Sequence, residues 1–378
     1  PHFIFYIYEK MILEKVRFTK TGDKEFYKVL RKRVNAYFKE KGISKFANVN
    51  MVLKTIFMLA LYLTPFILIL TTLSSSLLII LMWMLMGFGM AGIGLSIMHD
   101  ANHSAYSKNK HVNLFMGKLI WLVGGSDVNW RIQHNVLHHT YTNVHGMDED
   151  IEIDPLMRFS PNQKLRKGHK FQFIYAWFLY GMMTMMWATT KDYSQWKRYK
   201  NKDLIKTQGL SSKSFLWTLI STKTIYLILT LGLPLLIGSM PWHQTVLCFL
   251  LMHFIAGVTL ASIFQTAHVV PSSDYSKPDE NGNVEVSWAE NQLMNTTNFA
   301  PKARLFSWYV GGLNYQIEHH LFPNICHVHY RKISKIVRDT AFEYELPYHS
   351  YKTFYEALSN HTKMLYTLGR VEDAPVIH

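Results

Sequence analysis

Nineteen histidines stand in this chain of 378 residues, and their spacing says more than their number. Seven of them fall in three clusters: His99 and His103 in HDANH, His134, His138 and His139 in HNVLHH, and His319 and His320 in QIEHH, behind Gln316. Residues three or four apart share one face of a helix. His99 with His103, and His134 with His138, can each converge on one ion, and Gln316 can align with His319 or His320. Adjacent residues diverge by about 100° on an α-helix. The doublets His138–His139 and His319–His320 therefore suit two ions side by side better than one. His268, in FQTAHVV, joins them a few residues after an apolar run. This set is too large for one tetrahedral zinc and matches two ions with positions left open for chemistry. Imidazole accepts iron, copper, nickel and zinc alike, so the residue types leave the metal open. Oxygen chemistry at a site beside lipid favours iron.

The elements that must position these histidines are set by hydropathy. Charged residues make up only 17% of the chain, against roughly 25% in an average soluble protein. A bilayer-spanning helix takes about 20 mostly apolar residues. The runs 55–73, 77–98, 224–240 and 245–263 meet that need, and Pro65 and Pro234 inside them are tolerable in membrane helices. They pair into two hairpins through tiny connections near Ser74–Ser76 and Ser239–Gln244. No Lys or Arg occurs from Thr55 to Ser107 or from Thr224 to Ser276, whereas the first 50 residues carry twelve and residues 108–223 carry seventeen. Excess basic charge marks the cytoplasmic side. The expected fold is an all-α integral membrane protein with four transmembrane helices. A cytosolic helical cap, built from 11–54, 99–223 and 264–378, would hold the histidine-rich dimetal site. The fifth apolar run, Phe171–Thr190, must then lie at the interface or pack under the cap. If it crossed, His268 would emerge on the wrong side. An amphipathic helix on the membrane surface is expected over 11–50 and a second cytosolic helix over 325–345, with few strands.

Residues 11–378 read as one domain. Pro1–Lys10 read as an extension upstream of Met11, without the basic start and small-residue cleavage site of a signal peptide. Two cysteines, Cys248 and Cys326, make no disulfide framework. The net charge of +14 is mostly a topology signal, and no motif supports nucleic-acid binding. Outside the clusters, His253 sits mid-run and reads as a helix-packing contact, while His327 and His329 read as structural or as supports for the ligands. The acidic stretch Asp148–Asp150 reads as a turn in preference to a ligand support.

The three boxes, in this order and with this placement relative to the apolar runs, resemble those of the membrane fatty acid desaturases. WRIQHNVLHHTYTN at 130–143, HGMDEDIEIDP at 145–155 and WYVGGLNYQIEHHLFPNICHVHY at 308–330 extend the likeness from about Met11 onward. Gln316 at the head of the third box resembles the front-end members, which place a new double bond between an existing one and the carboxyl end. The likeness is greatest to the bacterial linoleoyl-CoA type. The HPGG motif of a fused cytochrome domain is absent, and Asn291 stands where relatives often have His.

The resemblance implies an O2-dependent desaturase that puts a cis double bond into a fatty acyl chain, front-end on an unsaturated C18 chain. It also implies two iron ions, cycling between Fe2+ and Fe3+, on His99, His103, His134, His138, His139, His268, Gln316, His319 and His320, with O2 as co-substrate. Asp100, Asn102 and Glu318 are candidates to orient the imidazoles. Trp130, Trp121, Trp308 and the Met-rich stretch 182–186 are candidates for the walls of an acyl tunnel. The substrate would be acyl-CoA or a membrane acyl-lipid. Electrons would come from a separate ferredoxin or free cytochrome of b type. The implied location is the bacterial cytoplasmic membrane, with the site on the cytosolic side. Two other readings remain: a diiron hydroxylase of alkanes, sterols or carotenoids, and a histidine-rich metal transporter or sensor. A transporter would place its ligands near mid-bilayer, and here the clusters lie at the ends of the runs.

Overall fold

The computed structural model describes residues 16–19 and 24–372. The expected extension at Pro1–Lys10, and residues 11–15 and 20–23 of the helix expected over 11–50, lie outside them, while Arg17–Phe18 within that stretch form a strand and not a helix. Four helices are long and apolar enough to cross a membrane: α2 (Val49–Thr71), α3 (Ser76–Asn102), α6 (Ser212–Ile237) and α7 (Trp242–His268). Short turns separate α2 from α3 and α6 from α7. The described residues fall into two compact units. The first draws on the segments up to Phe46, Ile132–Ala176 and from Ile263 onward; the second on Ala47–Arg131 and Trp177–Ser262.

In the second unit, α3 and α7 are the inner helices, each 56% buried over its most apolar stretch, against 33% for α2 and 22% for α6. Both inner helices end in a cluster histidine, His99 near the end of α3 and His268 at the end of α7. Glycines let the helices close up. A Cβ on Gly89 would lie 2.8 Å from the Tyr62 backbone nitrogen, and one on Gly87 would lie 2.8 Å from the Met252 carbonyl. Within α3, Ile93–Ile97 is a π-helical stretch. Its extra residue per turn resets the face on which the following His99 and His103 sit.

Two span boundaries differ from expectation, and the fifth apolar run falls as expected. The helix α6 starts at Ser212, not at 224, and takes in Lys213 and Lys223. A cation normally bounds a span, but Lys223 is buried and paired with Asp192 of α5 (Lys191–Asn201), and its ammonium also donates to the Gly124 carbonyl. The helix α7 continues past 263, so His268 is its last residue and not part of a following loop. The apolar run at 171–190 forms α4 (Gln172–Thr189), which is not among the four candidate spans. Part of it packs on α7 so closely that a Cβ on Gly257 would clash with the Tyr180 carbonyl. His253 of α7 is bound there, Nδ1 lying 3.0 Å from the Thr184 hydroxyl and Nε2 2.9 Å from the Tyr226 hydroxyl. Its packing role is as expected.

The first unit packs α1 (Lys24–Lys41) beside α10 (Tyr330–Glu343). Phe26, Leu30 and Val34, four apart, meet Ile333, Val337 and Ala341, also four apart, in one core. The stripe of each helix is what a 3.6-residue period produces. The amphipathic helix expected to run to residue 50 stops at Gly42, whose φ of +60° suits glycine at a helix end. The helix expected over 325–345 begins only at Tyr330. The strands are few, as expected, and short. Strand β1 (Arg17–Phe18) pairs in parallel with β2 (Asn283–Val284), and β3 (Thr297–Phe299) with β4 (His349–Tyr351). Between them in sequence lie α8 (Trp288–Asn295) and α9 (Gln316–Leu321), with α11 (Phe354–Leu368) last.

Candidate metal centre

The second cluster lies on a π-helix, Arg131–His138, not on the α-helix that its spacing suggests. The His139 amide donates to the His134 carbonyl, five residues back, at 2.9 Å. A wider turn lets residues four and five apart both lie near residue i. His134 is accordingly flanked by both members of the doublet, with ring centroids 5.2 Å from His138 and 4.7 Å from His139. The third cluster lies on α9, a helix of six residues, every one buried.

These elements and the end of α7 bring six histidines together in the first unit. His138, His268 and His320 form one buried group and His139, His319 and His320 another, each with ligand atoms within 4.8 Å of one another. His134 and His138 form a third group with Asp150. The Nε2 atom of His139 lies 3.2 Å from that of His134. In the second unit, His99 and His103 are paired, their rings 4.8 Å apart, and Trp130 packs edge-on against both at 5.4 and 5.3 Å.

Hydrogen bonds on the far side of the rings fix which nitrogen faces inward. His268 Nδ1 lies 3.0 Å from the Asn295 carbonyl. A carbonyl only accepts, so Nδ1 carries the hydrogen and Nε2 keeps a lone pair. His320 Nδ1 stands likewise against the Gln292 side-chain oxygen at 2.8 Å, and His319 Nδ1 lies 3.1 Å from the Tyr330 hydroxyl. His138 Nδ1 lies 2.9 Å from Asp148, whose buried carboxylate also accepts from the backbone N–H groups of Asn143 and Asp150, each at 2.9 Å. Asn143 reaches that position with φ of +56°, a conformation that asparagine tolerates better than most residues. Burial alone would lower the affinity of His138 for a proton, but the Asp148 and Asp150 carboxylates outweigh it and raise the imidazole to about 9. The same carboxylates favour any cation at His138 Nε2 while Nδ1 keeps its hydrogen for Asp148.

The donor set fits a metal. The Nε2 atom of His268 is buried and has no hydrogen-bond partner. An unmet buried acceptor costs roughly 1–3 kcal/mol. A cation held jointly with His138 and His320 removes that cost. All-imidazole surroundings with a carboxylate at the edge suit a redox-active transition metal.

The other expected site residues fall as follows. Gln316 is buried, and its amide donates to the Leu313 carbonyl at 2.7 Å. Asn102 donates to the Gly117 carbonyl at 3.2 Å and accepts from Arg131 at 3.2 Å. The nearest Asp100 oxygen is 3.9 Å from His99 Nδ1. Glu318 is wholly buried and accepts from Asn298 and Tyr348 at 2.9 and 2.8 Å; burial pushes its carboxyl up to about 7. It ties the third cluster to the β3–β4 region. Trp121 lines a 250 Å³ apolar cavity among the membrane helices with Tyr62, Phe66 and Tyr226, and Trp308 is half-buried. His329 bonds the Phe46 carbonyl at 3.1 Å, and His327 lies against Gly312.

Sequence reasoning missed Gln292, Asn295 and Tyr330, which lie 28, 27 and 11 residues from the histidines they bind. It also read Asp148 as part of a turn. The one available signal was the density of Asp and Glu just after the second cluster, on the side where a ligating imidazole needs an acceptor.

The Fatty acid desaturase family model matches residues 74–352. The chain is 34% identical to the sn-1 linoleoyl-lipid 6-desaturase of Synechocystis sp., over 94% of this chain and 98% of that protein. It is 34% identical to the protein of the same name from Arthrospira platensis, over 88% and 90% of the two chains. With the acyl-lipid (8-3)-desaturase of Physcomitrium patens it shares 35% identity, over 93% of this chain and 73% of that one. Cluster spacing, the buried imidazole groups and likeness over nearly the full length agree: the chain belongs to the fatty acid desaturase family.

Proposed function

We propose that this fatty-acyl desaturase acts on an acyl chain esterified to a membrane lipid, inserting a cis double bond between an existing one and the carboxyl end. The convergence of His138, His268 and His320, and of His139, His319 and His320, carries this reading. The lipid-bound substrates named for the relatives favour an acyl-lipid over a CoA thioester. In this reading His99 and His103 complete the ligand set with His134, and Gln316 adds a neutral oxygen.

A pair of iron ions bound to these imidazoles would supply the activation of dioxygen that saturated carbon requires. The residues of the chain do the rest. His138 is held by Asp148, His320 by Gln292 and His268 by the Asn295 carbonyl, so three ring orientations are set before any ligand binds. Burial of every cluster histidine excludes bulk water from the reacting carbons. Trp130, against His99 and His103, is placed to limit how closely an acyl chain approaches them. Two hairpins with every cluster on the cytosolic side of a bacterial cytoplasmic membrane fit the Lys and Arg distribution.

The test is expression in a host lacking polyunsaturated fatty acids, fed oleate or linoleate. Gas chromatography with mass spectrometry of each lipid class should find an alkene lighter by two hydrogens, in lipid-bound chains first. A product heavier by one oxygen would mean a hydroxylase, and metal uptake without lipid change a transporter.

A further inference from the structure

We propose that the outer faces of α1 and α10 form the docking surface for an acidic one-electron carrier protein, and that electrons enter through the Tyr330–His319 hydrogen bond. This rests on the desaturase reading and adds a partner, a place and a route. The electron balance requires such a partner. Removing two hydrogens from an acyl chain releases two electrons and two protons. Reducing dioxygen to two waters consumes four of each. Two electrons must therefore come from outside, and two protons from solvent.

The surface is cationic and built from two locked helices. Lys28, Arg31 and Lys32 are exposed on α1, and Arg331, Lys332, Lys335 and Arg338 on α10, each set at helical spacing on one face. The opposite faces of both helices share one core. Arg33 fastens the pair, donating to Thr340 at 3.0 Å and to Glu343 at 2.7 Å. Phe26 meets Tyr344 at one end and Phe38 meets His329 at the other, so the helices run antiparallel. Three acids are paired off, Glu343 with Arg33, Asp339 with Arg338 and Glu25 with Lys28, and the face keeps Arg31, Lys32, Arg331, Lys332 and Lys335 in excess. Lys45 adds to the field, burial and then Arg31 lowering its affinity for a proton. Clustered like charge of this kind speeds encounter with an acidic protein.

The face lies over the metal-facing histidines. Tyr330, 1% exposed, opens α10, and exposed Arg331 and Lys332 follow it directly. Its hydroxyl is 3.1 Å from His319 Nδ1, and His319 Nε2 lies 2.9 Å from His139 Nε2. One phenol ring thus separates the cationic face from the centre. A second path starts from the half-buried Tyr27 of α1, edge-on to Trp288 at 5.3 Å, and the Trp288 indole N–H donates to the His139 carbonyl at 3.0 Å. A lipid surface fits this face poorly. A helix lying in the headgroup region needs large apolar side chains beside its cations. Among the described residues of α1 none is exposed, and α10 has Phe342 alone.

The test uses the purified full chain, loaded with iron in nanodiscs, with a plant-type [2Fe–2S] ferredoxin and its reductase. The triple variant Arg331→Glu/Lys332→Glu/Lys335→Glu should weaken ferredoxin binding, measured by calorimetry, about tenfold or more, and should flatten its salt dependence. The KM for ferredoxin should rise in parallel, while turnover driven by a photoreduced dye stays close to wild type. Lys167→Glu/Lys170→Glu, at another basic site, should change neither. Tyr330→Phe should slow metal reduction by bound ferredoxin in stopped-flow absorbance and leave the binding constant alone. Unchanged ferredoxin affinity in the triple variant overturns the docking surface, and so does loss of binding to anionic vesicles in place of ferredoxin. Reduction of Tyr330→Phe at the wild-type rate overturns the route. Failure of the desaturase reading itself would look different: no double bond with either electron source in the wild-type protein.

Discussion

His139 and His319, 180 residues apart in sequence, bring their Nε2 atoms to 2.9 Å. Nitrogens bound about 2.1 Å from one ion, at right angles, stand about 3 Å apart. The chain therefore holds these two imidazoles at the spacing of neighbouring ligands. Replacing His319 by Ala should abolish desaturation and lower bound iron, read by lipid chromatography and metal analysis of the same preparation. Retention of both would remove His319 from the ligand set.

Asp148 should matter through His138. Asp148→Asn keeps the shape but loses the negative charge that His138 Nδ1 faces at 2.9 Å. Outer partners of ligating histidines typically affect metal affinity by about 10- to 100-fold. Competition with a chelator should register a weakening within that range. Wild-type affinity would reduce Asp148 to a turn residue.

Lys223 and Asp192 form a buried ion pair at the side of α6. Removing one partner strands the other's charge, at a cost of about 3–5 kcal/mol. Lys223→Met should thus lower unfolding stability in detergent by that order, and Lys223→Met/Asp192→Leu should recover most of it. A double-mutant cycle measures the coupling. Additive losses would mean that the pair is not coupled.

His361 on α11 is buried, its Nδ1 donating to the Val269 carbonyl at 2.8 Å, one residue beyond His268. Burial pushes this imidazole down to about 4 from the usual 6.5. The unfolded chain therefore binds the proton more readily between those values. The stability contributed by neutral His361 is complete above about pH 6.5. It is lost as pH falls towards 4, by at most about 3 kcal/mol. Melting temperatures measured from pH 7 to 4 should fall more steeply for wild type than for His361→Asn. Parallel curves would contradict the assignment.

Much of this was legible in the sequence, and the failures have physical causes. Apolar runs located all four candidate membrane helices, because about twenty mostly apolar residues in a helix match the hydrocarbon core of a bilayer. The start of α6 was misplaced because Lys223 looks like the end of a span until Asp192, 31 residues away, neutralises it. Helical spacing grouped His134 with His138 but could not foresee the π-helix. That geometry is set by a backbone hydrogen bond to residue i−5, which no side chain announces. Gln292, Asn295 and Tyr330 stayed hidden because ordinary polar residues become supports for a ligand only when the fold sets them behind an imidazole.

The most direct test of the shared centre is the iron content of purified protein with His268 intact and with His268→Ala. His268 reaches the group from the end of α7, while His138 and His320 come from elsewhere in the chain. Wild type should bind about two iron ions per chain, as two neighbouring imidazole sites require, and His268→Ala about one, with desaturation lost. Two ions retained in His268→Ala, with full desaturation, would contradict a centre built across these segments.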